Sequence, residues 1–354
     1  MKTALTFALI ATLTAPAWAK VPADPLVTRI APDRVKVSWS DPDGVDVYLA
    51  ERPDAPADAS RRVSADDRDG VHEMAVAPGT RPYFLLVDHK DHASVRVAER
   101  LLPLEQGSNF RDIGGYAAAG GKHVRWGMIY RAGATPMLTM TDQQAVANLH
   151  LANLVDLRSS EERQIAPTRI EGVPYHAVGY SINAILAAMK PPAGQTAPVN
   201  GSTLYRALPD MLAPQMRVLF DRLLAREGPV AYNCSAGQDR TGFATAMILT
   251  VLGVPRDTII ADYHLSTAVR HPEYEMPVIE PGAFPGNPAA KLYAGVRAHP
   301  GAPNQPLKEG DGTAFLAAAF DQVEKDYGSV EGYLNKAAGV TAADIALLRK
   351  TYLE

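Results

Sequence analysis

One run of the chain gathers the residue types that could do chemistry: Tyr232-Asn233-Cys234-Ser235-Ala236-Gly237-Gln238-Asp239-Arg240-Thr241-Gly242. Cys234 is the only cysteine in the sequence. An apolar strand, Pro229-Val-Ala-Tyr-Asn233, runs into it, and an apolar helix from Thr241 to Leu252, closed by Gly253, runs out of it. A short glycine-bearing loop between strand and helix turns its N–H groups toward one point, at the positive end of the helix dipole, which makes a cradle for an oxyanion. The same field favours a thiolate: a free cysteine has a pKa of about 8.5, and a helix N-terminus can bring it to roughly 3.5–7.5. Arg240 follows Cys234 by six positions, and its planar fork can hold two phosphate oxygens. Ser235, Ala236, Gly237 and Gln238 would line the cradle, and the Thr241 hydroxyl is placed to hydrogen-bond the thiolate and help it leave.

The rest of the chain narrows what such a cradle is for. Charged residues make up 21% of the 354, hydrophobic ones 47%, and the net charge is −4. This is the make-up of a soluble globular protein long enough for two cores. The balanced charge and the lack of a lysine or arginine run argue against nucleic acid or an anionic membrane surface as the main partner. Residues 1–19 read as a signal peptide: Lys2 gives the positive start, Leu5 to Leu13 the apolar stretch, and Ala17-Trp18-Ala19 the cleavage site before Lys20. The stretch is too short to span a bilayer, and no later segment is apolar enough to do so, so no stable membrane insertion is expected. The expected location is periplasmic or secreted. Exported proteins normally pair their cysteines, and a lone thiol there is a liability unless it has work to do. Oligomeric state is not legible in the sequence.

Two kinds of element must position the loop. Residues 20–103 read as a small all-β unit, with strands at 34–39, 45–49, 72–76 and 83–87 and a turn at Asp41-Pro42-Asp43-Gly44. It resembles a fibronectin type III or other immunoglobulin-like sandwich. It holds no catalytic cluster, and the run Asp88-His89-Lys90-Asp91-His92 falls in a turn, so neither metal nor cofactor is expected. Residues 104–354 read as an α/β domain with buried strands at 153–157 and 229–233 and amphipathic helices at 314–326 and 342–353. Residues 181–214, opening with the apolar patch Ile182 to Met189, read as a loop-like lid insertion. Residues 271–313 are rich in proline and glycine and read as a second lid or a surface excursion.

The run around Cys234 resembles the signature loop of protein tyrosine phosphatases, above all the bacterial family with Cys-x-x-Gly-Lys-Asp-Arg-Thr-Gly. Further segments resemble that family's motifs in order: Asn109-Phe-Arg-Asp-Ile-Gly-Gly-Tyr116, Tyr130-Arg131-Ala-Gly133, Val155-Asp-Leu-Arg-Ser159 with Glu162, Asp262-Tyr263-His-Leu-Ser266, and Tyr327-Gly-Ser-Val-Glu-Gly-Tyr333. The β-unit lies outside the resemblance. It implies a phosphatase-like α/β fold, with a central sheet flanked by helices, and a two-step reaction through a cysteinyl-phosphate on Cys234. It implies Asp239 as the general acid and a helical lid at 181–214. Asn109, Arg111 and Asp112 are expected to shape the wall beside the loop, with Arg111 and Asp112 near the substrate. Asp156 is the alternative acid, and its better use is a bracing pair with Arg158 or Arg131.

Two positions depart from the family pattern. Asn233 stands where histidine is usual and cannot be cationic, and Gln238 replaces a lysine that accompanies action on phosphoinositides. Both make the site less cationic. The expected partner is therefore a phosphorylated peptide, phosphotyrosine first, or a small phosphomonoester such as an aryl or sugar phosphate, ahead of a phosphoinositide or inositol phosphate. A pseudophosphatase that binds phospho-groups without turnover and a rhodanese-like sulfur transferase are the other readings. Intact Cys234, Asp239 and Arg240 speak against the first, and Arg240-Thr241-Gly242 against the second.

Overall fold

The computed structural model describes residues 21–183, 186, 201–280, 282–297 and 303–354. The expected signal peptide and most of the apolar patch at 182–189 lie outside these residues.

The N-terminal strands form two facing antiparallel sheets. One is three-stranded, in the order β1 (Ala23–Ala31), β2 (Arg34–Ser40), β5 (Val71–Ala75). The other is four-stranded, in the order β4 (Arg61–Asp67), β3 (Val45–Ala50), β6 (Tyr83–Asp88), β7 (Ser94–Ala98). Alternation along β2 sends Val35, Val37 and Trp39 inward, against Val45, Val47, Phe84, Leu86, Val95 and Val97. Patterning finds β2, β3, β5 and β6 to within a residue. It passes over β1, β4 and β7, where exposed and buried residues alternate less regularly.

The second half is built on a five-stranded sheet in the order β11 (Tyr175–Ala177), β10 (Asn153–Asp156), β12 (Val230–Asn233), β9 (Ile129–Ala132), β8 (Arg111–Asp112). The first four strands are parallel, and β8 closes the edge antiparallel to β9. Strands covered on both faces read as continuous apolar runs. On β12, Val230 and Tyr232 enter the core beneath helix α5 (Asp239–Val251), while Ala231 enters the opposite core with Phe110, Tyr130 and Leu154. Helix α5 is buried along almost its whole length, which is why it reads as apolar all round.

Around it pack α3 (Gly201–Met211), α4 (Ala213–Ala225), α6 (Arg256–Val269), α8 (Phe315–Tyr327) and α9 (Ala342–Tyr352). Helix α1 (Met140–Ala147) lies on the far side, and α2 (Ser160–Ile165) follows β10. The loop readings of 181–214 and 271–313 need correction. From residue 201 the first is helix, and the second contains α7 (Pro288–Arg297), packed on α2. The first helix starts at Gly201 and contains Pro209, and the second starts at Pro288, which are residues that suggest loops.

The two halves interlock. Leu102 N–H donates to Phe110 O and Asp112 N–H to Arg100 O, so the chain leaving the β-unit lies alongside β8. Arg81 of the β-unit reaches Asp112 at 2.9 Å, with both side chains at 5% exposure or less. Its guanidinium also lies over the rings of Tyr83 and Trp126.

Candidate active site

Strands β9, β10 and β12 run parallel, so their carboxyl ends open on one crevice, the usual place for a ligand in an α/β sheet. Cys234 follows β12 there, 1% exposed, and α5 begins five residues later at Asp239. The loop between them is held by its carbonyls. Ser235 O accepts from Ala134 N–H, Ala236 O and Gly237 O from Asn109 Nδ2 at 3.1 and 2.8 Å, and Gly237 O also from Arg131 Nη2 at 2.8 Å. With carbonyls tied outward, the peptide N–H groups face the centre, where an anion would sit. Gly237 has φ +66°. A Cβ there would stand 2.6 Å from Gly133 N and 2.7 Å from the Ala132 carbonyl, so the position excludes any side chain.

Arg240 is fixed from behind by Glu162. Its Nη1 donates to Oε2 at 2.7 Å and its Nη2 to Oε1 at 2.8 Å, and Nη1 also meets Tyr180 Oη at 2.9 Å. Nε–H has no protein partner among the described residues, which leaves that edge of the fork for a ligand oxygen. Glu162 is 0% exposed. It also accepts from Ser159 N–H, Ser235 O–H and Tyr293 O–H, at 2.8, 2.7 and 2.8 Å. Burial works against its charge, but the Arg240 guanidinium and these donors outweigh that and hold its carboxyl well below the usual carboxylate range. Ser159-x-x-Glu162 is also the capping box that starts α2.

Asp262 is a second buried hub. Arg111 Nε and Arg131 Nη1 reach its carboxylate at 3.1 and 2.6 Å, and Tyr116 O–H donates to it at 2.9 Å. Desolvation again opposes the charge, and the two arginines override it, so Asp262 too sits well below the ordinary range. Arg111 also donates to Asn109 Oδ1 and to Ser266 Oγ. The chain of contacts runs from Asp262 through Arg111 and Asn109 to the loop carbonyls.

The structure brings Cys234, Ser235, Ala236, Gly237, Gln238, Asp239, Arg240 and Thr241 together on one loop and the first turn of α5. Asp239 and Ala236 are its more open members. Asp239 Oδ1 accepts from Tyr205 O–H at 2.7 Å. Arg111 and Asp112 do not face the cradle. Arg111 is 1% exposed and engaged by Asp262, and Asp112 is 0% exposed and turned to Arg81. Adjacent residues of a strand point to opposite faces, so the two could not share one wall. Asp156 is fully buried in a two-pronged pair with Arg158 and accepts from Tyr175 O–H, which is the bracing use expected of it. Thr241 Oγ1 is buried and has no hydrogen-bond partner among the described residues, so the expected bond to the thiol is not made in this geometry. Asn233 Nδ2 donates to Cys234 O at 3.2 Å.

Sequence reasoning does not single out Tyr180, Tyr205, Tyr293 or Arg270. Arg270 Nη1 donates to Gln238 Oε1 at 2.8 Å, which brings a cation to the position where the family's lysine is missing. Glu275 grips the same guanidinium along one edge, accepting from Nε and Nη2 at 2.8 Å each, so the added charge is largely balanced. Only the capping box around Glu162 leaves a readable local signal. The others meet the loop across long sequence separations that no periodicity encodes.

With this geometry in hand, comparison with known proteins is specific. A family model described as "Tyrosine phosphatase family" matches residues 102–354. A protein of Cupriavidus necator assigned as a tyrosine-protein phosphatase is 30% identical over 252 residues, covering 70% of this chain and 86% of that protein. The triple specificity protein phosphatase PtpB of Mycobacterium tuberculosis is 28% identical over 280 residues, covering 69% of this chain and 96% of its own. A tyrosine-protein phosphatase of Nostoc commune is 28% identical over 229 residues, covering 60% of this chain and 69% of that protein.

Proposed function

The chain belongs to the tyrosine phosphatase family, and from that footing we propose that it hydrolyses phosphotyrosine and related aryl monoesters outside the cytoplasm, with Cys234 as the nucleophile. The observation that carries the reading is the Cys234 loop, its carbonyls drawn outward by Asn109, Arg131 and Ala134 and its arginine fixed by Glu162.

In the first step the Cys234 thiolate attacks phosphorus while the loop N–H groups and Arg240 hold the equatorial oxygens, where charge is spread in the transition state. The P–O bond to the tyrosyl oxygen breaks, and the Asp239 carboxyl gives that oxygen its proton. In the second step water attacks the cysteinyl-phosphate, Asp239 takes the water's proton, the P–S bond breaks, and inorganic phosphate leaves with the thiolate restored. Neither step calls on a metal or cofactor. Gln238 contributes a neutral amide where a lysine would add charge, and Arg270 beside it is countered by Glu275. That favours a singly phosphorylated aryl group over a polyanionic head group.

Export is proposed from Lys2, the apolar stretch Leu5 to Leu13 and Ala17-Trp18-Ala19. Among the described residues no helix is long and apolar enough to cross a membrane. The test is turnover of p-nitrophenyl phosphate, expected in the wild type and abolished in Cys234→Ser, with an acid-quenched phosphoenzyme seen only in the former. A panel of phosphotyrosine, phosphoserine, phosphoinositide and inositol phosphate substrates should rank phosphotyrosine first. Preference for a phosphoinositide would sink the argument from Gln238, and persulfide formation from thiosulfate would favour sulfur transfer.

A further inference from the structure

Asp239 has two carboxyl oxygens, and one of them is already held. Oδ1 accepts from Tyr205 O–H at 2.7 Å, and the Tyr205 oxygen accepts from Tyr263 O–H at 2.6 Å. Both phenols are buried at 1% exposure, on α3 and α6, outside the loop. Their rings meet edge to face with centroids 5.8 Å apart, and Phe315 packs on Tyr205 from α8. Burial first, then the neighbouring Asp239 charge, push both phenols well above the usual tyrosine range. Each therefore keeps its proton, and the hydrogen bonds run one way, from Tyr263 through Tyr205 to the carboxylate.

We infer that Tyr205, backed by Tyr263, is the positioning residue for Asp239. The carboxyl torsion of an aspartate is soft and two-fold. A fixed donor on Oδ1 selects one setting and leaves Oδ2 as the oxygen that carries the mobile proton. When the P–O bond breaks, the proton moves from Oδ2 to the leaving oxygen, and Tyr205 steadies the carboxylate that remains through a charge-assisted bond. When water attacks the cysteinyl-phosphate, Oδ2 takes a proton back. Tyr205 exchanges no proton in either step. Helix α3 thus carries the hydroxyl that aims the acid. This inference rests on the reading of Asp239 as the general acid.

The test measures kcat/KM for the full chain on aryl and alkyl monophosphates of rising leaving-group pKa. Poor leaving groups depend most on the donated proton. Tyr205→Phe keeps the ring and removes only the hydroxyl. It should lower kcat/KM on alkyl phosphates about tenfold more than on p-nitrophenyl phosphate, the worth of one hydrogen bond to a charged group. Tyr263→Phe, which serves if Tyr205→Phe folds poorly, should shift the same ratio in the same direction by less. The double variant should do no more than Tyr205→Phe alone, because the two hydroxyls act in series. An equal loss on every substrate, or none, would overturn the inference and leave Asp239 its role. An Asp239→Asn variant with no leaving-group dependence would instead remove the reading of Asp239, and the inference with it.

Discussion

Glu162→Gln isolates the grip on the phosphate-binding arginine. The carboxylate receives Ser235 O–H, Arg240 Nη2 and Tyr293 O–H on Oε1, and Ser159 N–H and Arg240 Nη1 on Oε2. A glutamine has one acceptor oxygen, and its amide N–H groups must then face donors on the other side. The less costly flip keeps the oxygen with the Oε1 group and sets N–H against Ser159 N–H and Arg240. Removing one partner of a buried ion pair costs about 3–5 kcal/mol, because the other charge stays buried and unmatched. In a domain of this size that lowers the thermal midpoint by roughly 6–20 °C. The arginine fork also loses the edge that orients it, and a misplacement of about 1 Å costs about a hundredfold in rate. Thermal unfolding by circular dichroism at neutral pH and kcat/KM on p-nitrophenyl phosphate read the two effects separately. Adding Arg240→Met should restore much of the lost stability while leaving the enzyme inactive. An unchanged midpoint with unchanged kcat/KM would refute the reasoning.

Gly237→Ala should cost at least about a hundredfold in turnover, since a Cβ at 2.6 Å from Gly133 N must displace the loop; near-normal activity would show that the loop can yield. Arg81→Met leaves the Asp112 charge unmatched at 0% exposure and should destabilise by about 3–5 kcal/mol in denaturant unfolding, with little change in kcat per folded molecule. A parallel collapse of kcat would mean the β-unit acts on the chemistry directly. Glu162 and Asp262 are both held below their unfolded values of about 4, so their contribution is complete above that pH and fades as pH falls through the folded values. Unfolding free energy should change little on their account from pH 7 to 5 and drop below about pH 4. A decline already complete by pH 5 would assign acid lability to other groups.

The Cys234 loop is readable because everything that makes it is local: an apolar strand, a glycine at the tight turn, an arginine in the first helical turn. Asp156 with Arg158 is readable for the same reason, two residues apart on one strand end. The hubs are not. Asp262 meets Arg111 and Arg131 from helix α6, and Glu162 meets Arg240 and Tyr293 across 78 and 131 residues. A buried charge leaves no trace in a hydrophobic pattern except a polar residue that looks out of place. Arg111 and Asp112 are misjudged because motif proximity does not say which face of a strand a side chain takes. The helices at 201–211 and 288–297 are hidden by internal or flanking prolines and glycines, whose cost is met by packing on neighbouring helices.

Strand β8 is two residues long, and it ties both halves of the molecule. Arg111 faces the phosphatase brace and Asp112 faces the β-unit. Dissection at the start of the family match, residue 102, would strip Arg81 from Asp112 and the Arg96 carbonyl from the Trp126 indole N–H. A catalytic fragment cut there is therefore not a trimmed enzyme but one with a raw face, carrying an acid held by the Gly114 and Gly127 N–H groups but stripped of its counter-charge, one peptide bond from the arginine that steadies the loop. The β-unit is better regarded as part of the chassis than as cargo.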